Sequence, residues 1–307
     1  MSTATATRPS LKIAFGAGDT AVFDAGLPVI AGETVEELFG HARPAGHAGA
    51  LALFQSGDWL LGAATVPLTA GLEDAARRLY ENIFQSIRGR QLARIWNYVP
   101  AINEPGPADL ENYRVFCRGR SLAFEQQHGA NFKAAMPAAS AVGCKSAALT
   151  VAFAACSAQP RHVENPLQVA AYNYPVEYGP RAPSFSRATI VPGANDATVF
   201  ISGTAAIRGH ATIAPDNTAA QLECTLENLR EISNACGLGL ALDQGSGSTR
   251  HFKVYLRHAA DQPAVAAALE ERLLTGADRV SYLQADICRA PLLVEIEATL
   301  FGATGIR

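Results

Sequence analysis

The chain has 307 residues, 49% of them hydrophobic, which is enough for two modest domains or one large one. Its formal net charge of −3 supplies no basic face and argues against a nucleic-acid partner. No apolar run reaches the roughly 18 residues that a membrane crossing takes, and the first ten residues lack the apolar stretch of a signal peptide, so residues 1–10 are read as a disordered tail.

From residue 11 to 75, short apolar runs (Leu11–Phe15, Ala50–Phe54, Trp59–Ala64) alternate with Gly, Asp and Pro, which predicts strands and turns. Over 73–92 the pattern turns helical, with Ala76, Leu79, Ile83 and Ile87 on one face. A strand follows at Arg94–Ile102. The Pro-Gly-Pro at 105–107 breaks the chain before a helix over Asp109–His128, and a strand pair covers Ala138–Gly143 and Ala147–Cys156.

The second half repeats this order. A strand at Thr198–Ile207 precedes a helix at Thr218–Ala235, with Leu222, Leu226, Leu229 and Ile232 inward. A strand at His251–Leu256, a helix at Ala264–Leu274 and Val280–Gln284 lead to the last strand. Tyr80-Glu-Asn-Ile83 overlays Leu226-Glu-Asn-Leu229, Ile95–Ile102 overlays Phe252–Ala259, and Ala141–Val151 overlays Ala285–Glu295. Spacings that differ only by a loop's length predict a duplicated β–α–β–α–β unit. The first half is therefore set at 11–160, a connecting segment at 161–190 and the second half at 191–307. The overlay sets Glu295 against Val151, so one half carries a carboxylate that the other, a scaffold, lacks.

In the last strand, Val294, Ile296 and Ala298 alternate with Glu295, Glu297 and Thr299, placing both glutamates on one face. They could be solvated strand carboxylates. The preceding turn, Cys288-Arg-Ala-Pro291, brings a thiol and a cation close by, and a carboxylic acid near a thiol with arginines available suits proton transfer. Between the halves, residues 163–187 hold four prolines, three tyrosines and two arginines with no helical or alternating period. Such a stretch is either a stiff linker or an anion pocket, since guanidinium forks match carboxylates. The six cysteines form no C-x-x-C pair and the seven histidines no H-E-x-x-H motif, so reduced thiols, a cytoplasmic location and no metal are expected.

Several motifs together resemble a known family. They are Tyr113-Arg-Val-Phe-Cys-Arg-Gly-Arg120, Pro137-Ala-Ala-Ser-Ala-Val-Gly143, Glu164-Asn-Pro166, Tyr174-Pro-Val-Glu-Tyr-Gly-Pro-Arg181, Ser184-Phe-Ser-Arg187 and Ile201-Ser-Gly-Thr204. The second half resembles the RidA (YjgF-type) fold, and the chain from about Arg94 to Glu297 resembles the chorismatases, tandem RidA-like proteins that release pyruvate from chorismate. Residues 1–90 add little to the match. The resemblance implies an α+β fold of two RidA/YjgF-like (chorismate-mutase-like) halves, each a mixed sheet packed with helices, with the active cleft between them. It implies one small-molecule partner, chorismate, and no metal or organic cofactor. It gives Glu295 the role of the acid that protonates the enolpyruvyl methylene. Chorismate carries two carboxylates, and Arg120, Arg181 and Arg187 are assigned as anchors, with Tyr174 and Tyr178 as donors and Gly203 and Thr204 in the substrate-binding strand.

The family divides by product into hydrolytic, 3-hydroxybenzoate and mixed 3-/4-hydroxybenzoate types. In the 3-hydroxybenzoate type a cysteine lies seven residues before the glutamate and a glycine in the Ser-Gly-Thr strand, as Cys288 and Gly203 do here. The resemblance then implies attack by the ring 4-hydroxyl, an arene-oxide-like intermediate and rearomatisation. Cys288 has a plainer reading as a small buried core residue, like Cys144 in the other half. The C-terminal half alone would suit a RidA-type enamine/imine hydrolase, and the scaffold would also suit a non-catalytic aromatic-acid-binding protein. The Tyr- and Arg-rich segment argues against the hydrolase.

Overall fold

A computed structural model of the chain describes residues 8–16, 21–304 and 306. Among these, two mixed sheets stack face to face. The first runs in the order Arg43–Ala48, Leu51–Ser56, Trp59–Pro67, Ala148–Cys156, Gln91–Pro100, Ala138–Cys144. The second contains, in order, Arg161–Val163, Ala188–Pro192, Ala197–Ala205, Val294–Ala303, Thr249–Leu256 and Arg279–Gln284. Position by position the two orders correspond, as a duplicated unit requires. In each half the pair Gln91–Pro100/Ala138–Cys144 or Thr249–Leu256/Arg279–Gln284 is parallel, and a helix makes the crossover that parallel strands need.

Helices Leu72–Ser86 and Asn112–His128 cover the outer face of the first sheet, and Thr218–Cys236 and Gln262–Arg272 that of the second. Each buries an apolar stripe at three- and four-residue spacing; in Thr218–Cys236 it includes Leu222, Leu226, Leu229 and Ile232. Asn217 caps this helix by accepting from the Ala220 N–H (3.0 Å), and Gly237, at φ 83°, ends it in the left-handed region. The facing sides of the two sheets form a third core that includes Trp96, Tyr98, Ala152, Phe200 and Tyr255.

Three expected boundaries need correction. The expected first half takes in residues 11–37, but Ser10–Ala14, Val22–Gly32 and Val35–Glu37 extend the second sheet, with Val22–Gly32 antiparallel to Arg279–Gln284. That strand would otherwise end the duplicated unit as an open edge of unpaired N–H and C=O groups, and the N-terminal ribbon covers it. Pro9 and Ser10 do not belong to a disordered tail: Ser10 opens a strand and Pro9 O accepts from the Val29 N–H (2.8 Å), while residues 1–7 lie outside the described residues. The connecting segment is not all linker either, because Arg161–Val163 pairs with Ala188–Ile190 at the far edge of the second sheet.

The overlay of Glu295 on Val151 is off by one residue. Cross-strand register pairs Asn97 with Val151, Tyr98 with Thr150, Val254 with Ile296 and Tyr255 with Glu295. With Ile95–Ile102 on Phe252–Ala259, the counterpart of Glu295 is Thr150, and Val151 matches Ile296. Both Val151 and Ile296 face their own helices, whereas Glu295 faces the opposite sheet. A one-residue slip exchanges the faces of a strand, which is why the short sequence match misplaced it. The first half still lacks a carboxylate at this position.

Candidate active site

The strand Val294–Ala303 presents Glu295 and Glu297 to the space between the sheets, 3% and 1% exposed. Their surroundings differ. Glu297 pairs with Arg94 Nη2 and with Lys253 Nζ, both at 2.7 Å, and accepts from Trp96 Nε1 at 3.0 Å. Lys253 also pairs with Glu36 (2.5 Å), which the N-terminal ribbon brings in. Burial alone would raise the Glu297 carboxyl, but Arg94 and Lys253 outweigh it and hold it well below the usual carboxylate range.

No hydrogen bond or ion pair reaches the Glu295 carboxyl among the described residues. Burial first, and then the charge of Glu297, push it up to about 8, against a smaller downward pull from Arg94 and Arg187. Two carboxyls two residues apart are thus driven in opposite directions, the arrangement that separates an acid from a fixed charge at neutral pH. Gly203 on the neighbouring strand makes room for the acid: a Cβ there would run into the Glu295 carboxylate oxygen and lie 2.7 Å from its Cδ.

Glu295 lies on the wall of a cavity of about 300 Å³ between the halves. Of the residues expected at the site, Arg120, Arg187, Tyr174, Tyr178, Gly203, Cys288 and Glu295 line it together. Arg120, from helix Asn112–His128, is 1% exposed with its guanidinium 5.0 Å from the Phe116 ring and its Nε without a partner. Arg187 donates to Tyr174 Oη (2.7 Å) and Val169 O (3.3 Å), stacks 5.1 Å from Phe185, and also leaves its Nε unpartnered. Neither guanidinium pairs with a carboxylate among the described residues. Buried cations without counter-charges are expensive, so a cavity walled by them suits an anionic occupant.

Arg181 and Thr204 do not line this cavity. Arg181 forms an ion pair with Glu125 (2.7 Å) on the outer side of helix Asn112–His128. The Thr204 hydroxyl donates to Ser202 O (2.9 Å). Two further cations line the wall: Arg114, which pairs with Glu111 (3.5 Å), and Arg289, next to Cys288. The Arg289 guanidinium lies 4.1 Å from the Tyr178 ring and 5.1 Å from that of Tyr174, and it donates to His210 O at 2.8 Å. Tyr178 Oη is 3.1 Å from His210 Nδ1, so the aromatic segment is held over the cavity by this turn. Arg289, Ser140, Tyr113 and Phe185 went unassigned, although each sits inside or beside a stretch singled out above. Burial, followed by the neighbouring Glu295 charge, pushes the Cys288 thiol up to about 12, so it is a neutral thiol.

The fold and site define a two-halved α+β protein with one unpaired acid in a cation-walled cleft. A family model described as "Chorismatase FkbO/Hyg5-like, N-terminal" matches residues 38–155. A Streptomyces hygroscopicus protein named 3-hydroxybenzoate synthase is 38% identical over 255 residues, covering 80% of this chain and 74% of that one. A chorismatase from Streptomyces rapamycinicus is 41% identical over 252 residues, covering 79% and 75%. A crystal structure of a chorismatase superposes with a TM-score of 0.79 at 28% identity, covering 98% of this chain and 96% of that one. The chain belongs to the chorismatases, an enzyme family. No helix of the described residues is long and apolar enough to cross a membrane.

Proposed function

We propose that this enzyme cleaves chorismate to 3-hydroxybenzoate and pyruvate, with Glu295 as the proton donor. The observation that carries this reading is a carboxyl with no partner, held protonated near neutral pH, on the wall of a cavity lined by Arg120, Arg187 and Arg289. Guanidinium groups bind the two substrate carboxylates and bring the enolpyruvyl methylene to Glu295. Proton transfer to that carbon gives an oxocarbenium-like ether whose C–O bond to the ring then breaks. Attack of the ring 4-hydroxyl on that ring carbon, with loss of the hydroxyl proton, displaces pyruvate and leaves an arene-oxide-like epoxide. Its bond to C4 then breaks, the oxygen stays on C3 and takes up a proton, and loss of the C3 proton restores aromaticity. No water enters the balance: chorismate yields one pyruvate and one hydroxybenzoate.

The product assignment rests on Cys288 and Gly203 and on the relative named 3-hydroxybenzoate synthase. Incubating the protein with chorismate and separating the products tests it. Equimolar pyruvate and 3-hydroxybenzoate are expected; pyruvate with a dihydroxycyclohexadienoate would assign the hydrolytic type, and no pyruvate would remove the reading.

Two substitutions divide chemistry from product choice. Cys288→Ala is expected to keep releasing pyruvate while the second product moves toward the dihydrodiol, because a small void beside the acid admits water to the ring. An unchanged product chromatogram would make the thiol core packing only. Gly203→Ala forces the Glu295 carboxyl aside, so it is expected to slow pyruvate release itself, measured as kcat.

A further inference from the structure

We propose that Glu297 is the positioning residue of this site: by engaging Arg94 and Lys253 it keeps both cations off Glu295 and so sets the upper pH limit of proton donation. The inference rests on Glu295 being the donor. The geometry supporting it is a closed set of four charges behind the cavity wall. Arg94 and Lys253 both contact Glu297, Lys253 also contacts Glu36, and Thr299 Oγ1 donates to Glu36 at 3.3 Å. Two cations and two anions neutralise one another, which leaves Glu295 with no counter-ion of its own.

The other titratable groups facing this set do not disturb the balance. Tyr98 and Tyr255 are pushed up by burial and stay neutral phenols, and burial pushes His251 down, so it stays a neutral imidazole. From the cavity side come Arg187, whose charge pulls Glu295 down, and the neutral thiol of Cys288. Removing the Glu297 charge would leave Arg94 acting on Glu295 without opposition, which favours the ionised form. The acid would then lose its proton, and its activity, at lower pH. Removing Arg94 acts in the opposite sense.

The test is the pH profile of kcat for pyruvate release in the wild type, Glu297→Gln and Arg94→Gln. The alkaline limb is expected to move down by at least ~1 pH unit in Glu297→Gln and up in Arg94→Gln. A purely structural role would lower the rate at every pH without moving the limb, and would overturn the proposal. If either single variant fails to fold, the charge-balanced pair Glu297→Gln/Lys253→Met removes one anion and one cation together. For that pair, infrared difference spectra against the same protein carrying Glu295→Gln follow the carboxylic C=O band of Glu295 directly, with no substrate present. The band is expected to vanish at least ~1 unit lower than in the wild type; an equal midpoint overturns the proposal. If the midpoint moves as expected but chorismate is not cleaved, the positioning role stands and the functional reading falls.

Discussion

Replacing Glu295 with Gln is expected to slow pyruvate release from chorismate by a factor of at least ~100, the lower range for loss of a general acid, with the fold intact. The amide keeps the shape of the side chain in a position where no protein hydrogen bond has to be remade, but it cannot deliver a proton to carbon. In the wild type the protonated form is the donor, so kcat should be flat below about pH 7 and fall as pH rises through about 8. The same burial has a consequence for stability. The carboxyl is raised from 4.5 to about 8 in the folded chain, so between those values the folded state holds a proton that the unfolded state has released. Wild-type stability therefore declines as pH climbs across that window, and the Gln variant should gain on it, most clearly in thermal unfolding at pH 8 compared with pH 5. A variant as active as the wild type would remove the acid from the mechanism.

Arg187→Gln should lower kcat/KM for chorismate by roughly 10- to 100-fold, since a buried charge-assisted hydrogen bond contributes on the order of 1.5–3 kcal/mol. Its guanidinium is buried, lies in the cavity wall and has an unpartnered Nε to offer a substrate carboxylate. Arg181→Gln is the matched comparison. That side chain is part-exposed and already satisfied by Glu125 outside the cavity, so its removal should cost less than about 1 kcal/mol, or a few-fold. Equal losses for the two would contradict the anion-pocket reading of the cavity, and a larger loss at Arg181 would reverse the assignment of anchors.

The contrast between these arginines shows where the sequence was informative. Both sit in motifs that resemble the family, and proximity along the chain says nothing about which one turns inward. That is decided by Glu125, more than 50 residues away on a helix, which captures Arg181. The pairing of Glu295 with Glu297 on one strand face was legible because alternation is a local property of strands. The family resemblance named Glu295 as the acid, but alternation alone did not separate it from Glu297, since Arg94 and Lys253 reach Glu297 from other strands and Glu36 reaches Lys253 from a third. The duplicated order was legible from helical stripes and strand runs, yet its register slipped by one residue on a short match, and Val151 stood in for Thr150. The N-terminal ribbon crosses to the far sheet without any local signal, because edge pairing depends on what the rest of the fold leaves open. Arg289 was in view as the cation beside Cys288, but only the stacking on Tyr174 and Tyr178 places it in the wall.

The claim that a proton is delivered to the enolpyruvyl methylene is tested most directly by running the reaction in D2O. The methyl group of freshly released pyruvate is then read by mass spectrometry, before exchange sets in. One deuterium per pyruvate methyl is expected in the wild type, with formation of that product slowed at least ~100-fold in Glu295→Gln. Pyruvate released from the wild type without deuterium in its methyl group would mean that the ether is broken without protonation of that carbon by a solvent-exchangeable acid, and would contradict the mechanism.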